Sequence, residues 1–191
     1  MDTSPTSHTT NSLSDALQIL AGEVCLQIGK ETLAKCSPLS LTPLPEISEN
    51  ALCTWLCADT HFFTLFKASE SDSTLIYSHT NEVLYHASMH AQLSAACCKE
   101  ASFLCQFTFD SLPEGRVPRL LVFDVICVGS PAQRGDVLRS MQNCLPQPLC
   151  CVQWIGYARY LSREFFAALP HETSAILQLG DEALMLQTCN K

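Results

Sequence analysis

The chain has 191 residues, 47% of them hydrophobic and 16% charged, which is enough for one sizeable domain with a packed core and too apolar for a disordered chain. Eleven basic residues against nineteen acidic ones give a net charge of −8. Such a chain has no general electrostatic attraction for DNA or an anionic membrane, so any nucleic acid must be met in a local pocket.

Residues 1–12 are polar, rich in Ser and Thr, and contain no Lys or Arg. They read as a flexible tail and not as a secretory signal. Ser12 or Ser14 can cap a helix in which Leu13, Ala16, Leu17, Leu20 and Val24 recur at helical spacing. Between Ser37 and Asn50, Pro38, Pro43 and Pro45 mark an extended connector. Residues 13–50 are therefore expected to be an N-terminal helix and a Pro-rich connector, and residues 51–191 the domain proper.

From Leu52 the texture becomes strand-like. Leu52–Cys57, Phe62–Phe66, Thr74–Tyr77 and Glu82–Tyr85 are short apolar or alternating runs separated by turn-rich stretches. Residues 87–98 have a helical composition. Phe103–Phe109 and Arg119–Val128 predict two long strands joined through Pro113-Glu114-Gly115, the second nearly all apolar and so central in a sheet. Residues 133–142 predict a helix with Val137, Leu138 and Met141 on one face. Leu149–Trp154 predicts a strand. Ser162 can cap a short helix that Pro170 stops, and Ala183–Gln187 predicts a last strand. Strands dominate and helices come singly, which predicts an α+β domain with largely antiparallel pairing.

No apolar run approaches the roughly 20 residues of a membrane helix, and no membrane partner is expected. The twelve cysteines are then expected to be reduced, in cytoplasm or nucleus. No Cys-x-x-Cys occurs, and Cys53/Cys57 and His86/His90 have no partner pair at zinc-finger spacing. The cysteines read as small buried hydrophobes, and no metal is expected. With seven glycines and no Gly-x-Ser-x-Gly, neither a phosphate-cradling loop nor a hydrolase elbow is present.

The stretch LLVFDVICVGSPAQRGDVL, residues 120–138, carries a strand ending in Phe123-Asp124, then Gly129, and then Arg134 and Leu138 in a helical segment. This layout resembles the covalent nucleotidyltransferases, which include mRNA capping guanylyltransferases and polynucleotide ligases, and their non-catalytic relative, the cap-binding domain of snurportin. The resemblance runs over residues 50–191 and implies antiparallel sheets flanking a nucleotide cleft. CADTHFFTLF matches the family's Lys-x-Asp-Gly segment, with Cys57 at the nucleophilic lysine, Asp59 at the Asp and Thr60 at the glycine. Cys105-Gln106-Phe107 stands at the acidic Asp-Gly-Glu motif, and Asp181-Glu182-Ala183-Leu184 echoes the fourth motif. The paired-lysine fifth motif and the oligonucleotide-binding domain of the enzymes have no counterpart in this sequence.

Nucleotidyl transfer needs a lysine amine, a metal such as Mg2+ and basic side chains around the phosphates. With the lysine and the acidic motif replaced, the resemblance implies a non-catalytic domain that binds a guanine nucleotide or RNA cap without a cofactor. Cys57, Asp59, Asp124, Arg134, Trp154 and Asp181 are its candidate nucleotide-binding residues. Asp124 also reads as a satisfied polar group in a strand, and Arg134 as a solvated helix residue. An active guanylyltransferase or ligase would have to use Lys67, which also reads as a strand-end lysine, and would then require Mg2+. Residues 153–170 interleave Trp154, Tyr157 and Tyr160 with Arg159 and Arg163, a pattern suited to stacking a base or, equally, to a strand-to-helix connection. A third reading is an acidic protein-interaction module that binds no nucleotide.

Overall fold

A computed structural model describes residues 12–25, 41–43, 46–68, 73–93, 102–126, 130–180 and 184–188. It is an α+β fold made mostly of strands, and antiparallel pairs dominate. Among the described residues, no helix is long and apolar enough to cross a membrane.

Helix α1 (Leu13–Leu20) starts on a capping box. Ser12 Oγ accepts from the Asp15 amide at 3.1 Å, and the Asp15 carboxylate accepts from the Ser12 amide at 3.3 Å. The chain then passes straight into β1 (Ala21–Val24). Next come β2 (Leu41–Pro43), β3 (Leu52–Cys57), β4 (His61–Lys67), β5 (Thr74–Ser78) and β6 (Val83–Ala87). The long hairpin of β7 (Ser102–Leu112) and β8 (Gly115–Ile126) turns on Pro113-Glu114, and Gly115 at φ +132° takes a conformation that disfavours other residues. Helix α2 (Pro131–Met141) has Pro at its first turn, where a missing N–H costs nothing. The remaining elements are β9 (Cys150–Val152), β10 (Gly156–Tyr157), α3 (Arg163–Ala167), β11 (Thr173–Leu179) and β12 (Leu184–Thr188).

Seven strands form one sheet in the order β1-β6-β5-β4-β7-β8-β9, and five form a second in the order β10-β3-β11-β12-β2. The only parallel neighbours among the described strands are β8 with β9 and β12 with β2. From Leu120 to Val125 strand β8 is buried on both faces, which is why that stretch is nearly all apolar. Its Leu120, Val122 and Val125 join Phe63, Phe103 and Phe107 in a core closed by α1 and α2. Its Phe123 faces the second sheet, against Leu56, Ala175, Leu177 and Leu179. The molecule is thus layered, with α1 and α2 on one face of the large sheet and the small sheet, with α3 packed on its Trp55, on the other.

The structure departs from the sequence-based elements at several places. Helix α1 and strand β1 are not an appendage: Ala16 and Leu20 are fully buried in the main core, and β1 pairs with β6. The Pro-rich connector supplies β2, paired with β12. Where a helix was expected over 87–98, the described part is the end of β6 and a single turn at Met89–Ala91, with residues 94–98 outside the described region. Strand β11, unassigned from sequence, lies at the centre of the small sheet.

Candidate functional site

Cys57 ends β3 and is 1% exposed. Its backbone N–H donates to Gln106 Oε1 at 2.9 Å, and burial pushes its thiol up to about 12. It is a neutral, enclosed thiol. Gln106 of β7 also donates to the Trp55 carbonyl at 2.9 Å. Gln153 donates to the same carbonyl at 2.7 Å and accepts from Gln106 in a short hydrogen bond. A neighbouring strand would meet the Trp55 C=O and Cys57 N–H in this way; here a side-chain amide takes that place where β10 stops short. The Gln106 carboxamide therefore seals a sheet edge. Cys105 is fully buried beside it and its thiol is likewise pushed up by desolvation.

Asp59 sits exposed in the β3–β4 turn at φ +51°, a backbone position that Asp tolerates. Lys67 ends β4 opposite Thr74. Asp124 and Arg134 meet each other: Arg134 Nε lies 2.8 Å from Asp124 Oδ1, with side chains 8% and 9% exposed. Arg134 also donates to the Gly180 carbonyl at 2.6 Å, and the Val125 amide donates to Asp124 at 2.9 Å. Burial raises the Asp124 pKa and the Arg134 guanidinium pulls it back. A register shift in the β7–β8 ladder takes the core alternation from Val122 to Val125 and frees Asp124 for this bond. The pair ties α2, β8 and the end of β11 together, and Arg134 is 6% exposed. Asp181 lies outside the described residues.

Trp154 stands apart from these. It lines a cavity of about 670 Å³ between α2, which contributes Asp136 and Arg139, and the segment carrying Tyr157 and Tyr160, with Phe165 of α3. That volume suits a nucleotide-sized ligand. Trp154, Tyr157 and Tyr160 are 37%, 43% and 57% exposed, high values for large aromatic side chains. The segment that holds them is firmly tied. Thr54 Oγ1 donates to the Trp154 carbonyl at 2.9 Å, β10 pairs with Leu52 and Cys53, and the amides of Ala158 and Arg159 donate to the carbonyls of Ala51 and Glu49. The Arg159 guanidinium lies 4.7 Å from the Tyr157 ring centre and 5.1 Å from that of Tyr160, and donates to Asn50 Oδ1 at 2.8 Å. Arg139 pairs with Asp136 at 2.5 Å on the α2 wall.

The floor of the cavity is a stack of rings. Trp154 stacks on buried Trp55 at 6.3 Å, and Phe165 packs at 5.2 Å from Trp154. A Cβ at Gly156 would lie 2.2 Å from Trp154 Cζ2, so only glycine there lets the indole lie across the backbone. Beneath, Trp55 donates to His171, which is held by Asp110, itself paired to Arg119 at 2.9 Å. His171 also lines a smaller cavity of about 440 Å³ on the far side of α3. Among the described residues no group of three or more His, Cys, Asp or Glu is placed to hold a metal.

Of the residues singled out in the sequence, the fold thus pairs Asp124 with Arg134, buries Cys57, and brings Trp154, Tyr157 and Tyr160 together around one cavity. The interleaving of aromatic and basic residues over 153–170 did point to that cavity. Asp136 and Arg139, which complete it, carried no local signal, because α2 approaches the segment only through the fold. No family model and no curated protein matches the chain.

Proposed function

We propose that the chain is a non-catalytic binding domain for a guanine nucleotide or RNA cap, and that the base stacks in the cavity floored by Trp154. The observation that carries this reading is the nucleotide-sized cavity walled by partly exposed Trp154, Tyr157 and Tyr160 and edged by Arg139. Exposed rings on a tied backbone offer a π-face at little entropic cost, and a guanidinium at the rim suits a phosphate. The enclosed Cys57 thiol and the engagement of Gln106 with the β3 backbone support binding without nucleotidyl transfer. Such a role belongs in cytoplasm or nucleus, where capped RNA is found.

Calorimetric titration with guanosine triphosphate and a methylated cap dinucleotide tests the proposal. The expected result is saturable binding that Trp154→Ala weakens roughly ten- to hundred-fold, the value of one lost stacking face. A second reading rests on the same exposed residues, since Trp, Tyr and Arg are the residues that dominate protein interfaces. Absence of nucleotide binding at millimolar ligand, together with a protein partner lost in Trp154→Ala, would favour that reading instead.

A further inference from the structure

Stacking cannot tell one purine from another, because guanine and adenine offer similar faces. Their edges differ. Guanine presents N1–H and the exocyclic N2–H side by side, two donors that a single carboxylate can accept together, whereas adenine presents an acceptor at N1 and a donor at N6. A cavity that holds a base by its face therefore selects guanine if a carboxylate stands at the edge of the ring.

Asp136 is the one acidic residue among the described residues that line the cavity. It projects from α2, while the stacking surface comes from Trp154 and the residues after it. Its side chain is 74% exposed, so a ligand can reach it. Arg139 holds Oδ1 from the same helix, one turn on, and among the described residues Oδ2 has no hydrogen-bond partner. Gly135, which also lines the cavity, lies under the Arg139 guanidinium, whose nearest nitrogen is 3.6 Å from where a Cβ would stand.

We infer that Asp136 is the specificity-determining residue of this cavity and makes it select guanine over adenine. The inference rests on the stacking site proposed above and adds the residue that makes it choose guanine. Asp136 accepts N1–H and N2–H of guanine while Trp154 carries the face of the ring.

The test is calorimetric titration of the whole chain with guanosine, inosine and adenosine monophosphates, for the natural protein and for Asp136→Asn. Asp136 is exposed and paired only along its own helix, so the variant is expected to keep the melting temperature of the natural protein, which is checked alongside. The natural protein should bind the guanosine nucleotide tenfold or more tighter than the adenosine one. Inosine, which keeps N1–H and lacks N2, should fall between. Asp136→Asn should bring guanosine down to the adenosine level and leave adenosine unchanged or tighter, because an amide matches the adenine edge. Equal affinity of the natural protein for all three, or equal weakening of all three in the variant, overturns the inference and leaves the stacking site standing. Failure of all three to bind the natural protein overturns both.

Discussion

The indole N–H of Trp55 donates to Nε2 of His171 at 3.1 Å. This bond fixes the tautomer: His171 carries its proton on Nδ1, which donates to Asp110 Oδ1 at 2.8 Å. The other Asp110 oxygen accepts from Arg119 Nε at 2.9 Å, and Arg119 donates to the Pro148 carbonyl. Trp55 in turn lies under Trp154. A polar chain that starts at the β7–β8 hairpin therefore ends beneath the proposed stacking surface. His171→Ala should cost about 1–3 kcal/mol, because it strands a buried indole N–H and takes a partner from a buried carboxylate. Urea denaturation of Trp55→Phe, His171→Ala and the double variant measures it; strictly additive losses would contradict the coupling.

The Asp124–Arg134 bond is the only buried ion pair between α2 and β8 among the described residues. Arg134→Met should destabilise by about 3–5 kcal/mol, since Asp124 is left as an uncompensated buried charge. Arg134→Met combined with Asp124→Leu should recover much of the loss. Chemical denaturation decides the matter. A single variant as stable as the natural protein would show that the pair does not hold the layers together.

His79 follows β5 and shares a 2.8 Å hydrogen bond with Thr64 Oγ1, and burial lowers its pKa. A base with a lowered folded-state pKa binds a proton more readily when unfolded. Its stabilising contribution is complete above the unfolded value of about 6.5 and is lost as pH falls through the folded value. The side chain is only partly buried, so the loss should not exceed about 1 kcal/mol. Denaturation between neutral and mildly acidic pH should show stability falling for the natural protein and a flatter profile for His79→Asn. Parallel profiles would remove His79 as the cause.

Much of the fold was legible in the sequence for physical reasons that can be named. Strands β3, β4, β5, β7 and β8 are compact apolar runs bounded by turn residues, and a strand buried on both faces reads as β8 does. Strand β11 alternates cleanly, with Ala175, Leu177 and Leu179 inward, yet its short Ala-Ile-Leu run fits a helix segment equally well. The site was less legible. Trp154, Tyr157, Tyr160 and Arg159 lie within one stretch and could be picked out together. Asp136 and Arg139 sit on a helix face that reads as solvated. The roles of Gln106 and Gln153 depend on an unpaired edge of β3 that no local pattern announces.

Gly156 gives the floor of the cavity its shape. Gly156→Ala would put a methyl group 2.2 Å from the Trp154 ring, so the indole must leave its seat on Trp55. These are the chain's two tryptophans, and their stacked pair should give a near-ultraviolet circular dichroism signal that the variant loses. Nucleotide affinity should fall by about as much as in Trp154→Ala. An unchanged spectrum and unchanged affinity would show that Trp154 needs no such support.

The most direct measurement is to find where a bound guanine lies. Photo-crosslinking with 6-thioguanosine triphosphate, followed by peptide mapping, is predicted to label residues 154–160, with competition by unmodified guanosine triphosphate and loss of the label in Trp154→Ala. A competed label on the β3–β4 segment between Cys57 and Lys67, or no competed label at all, would contradict the account.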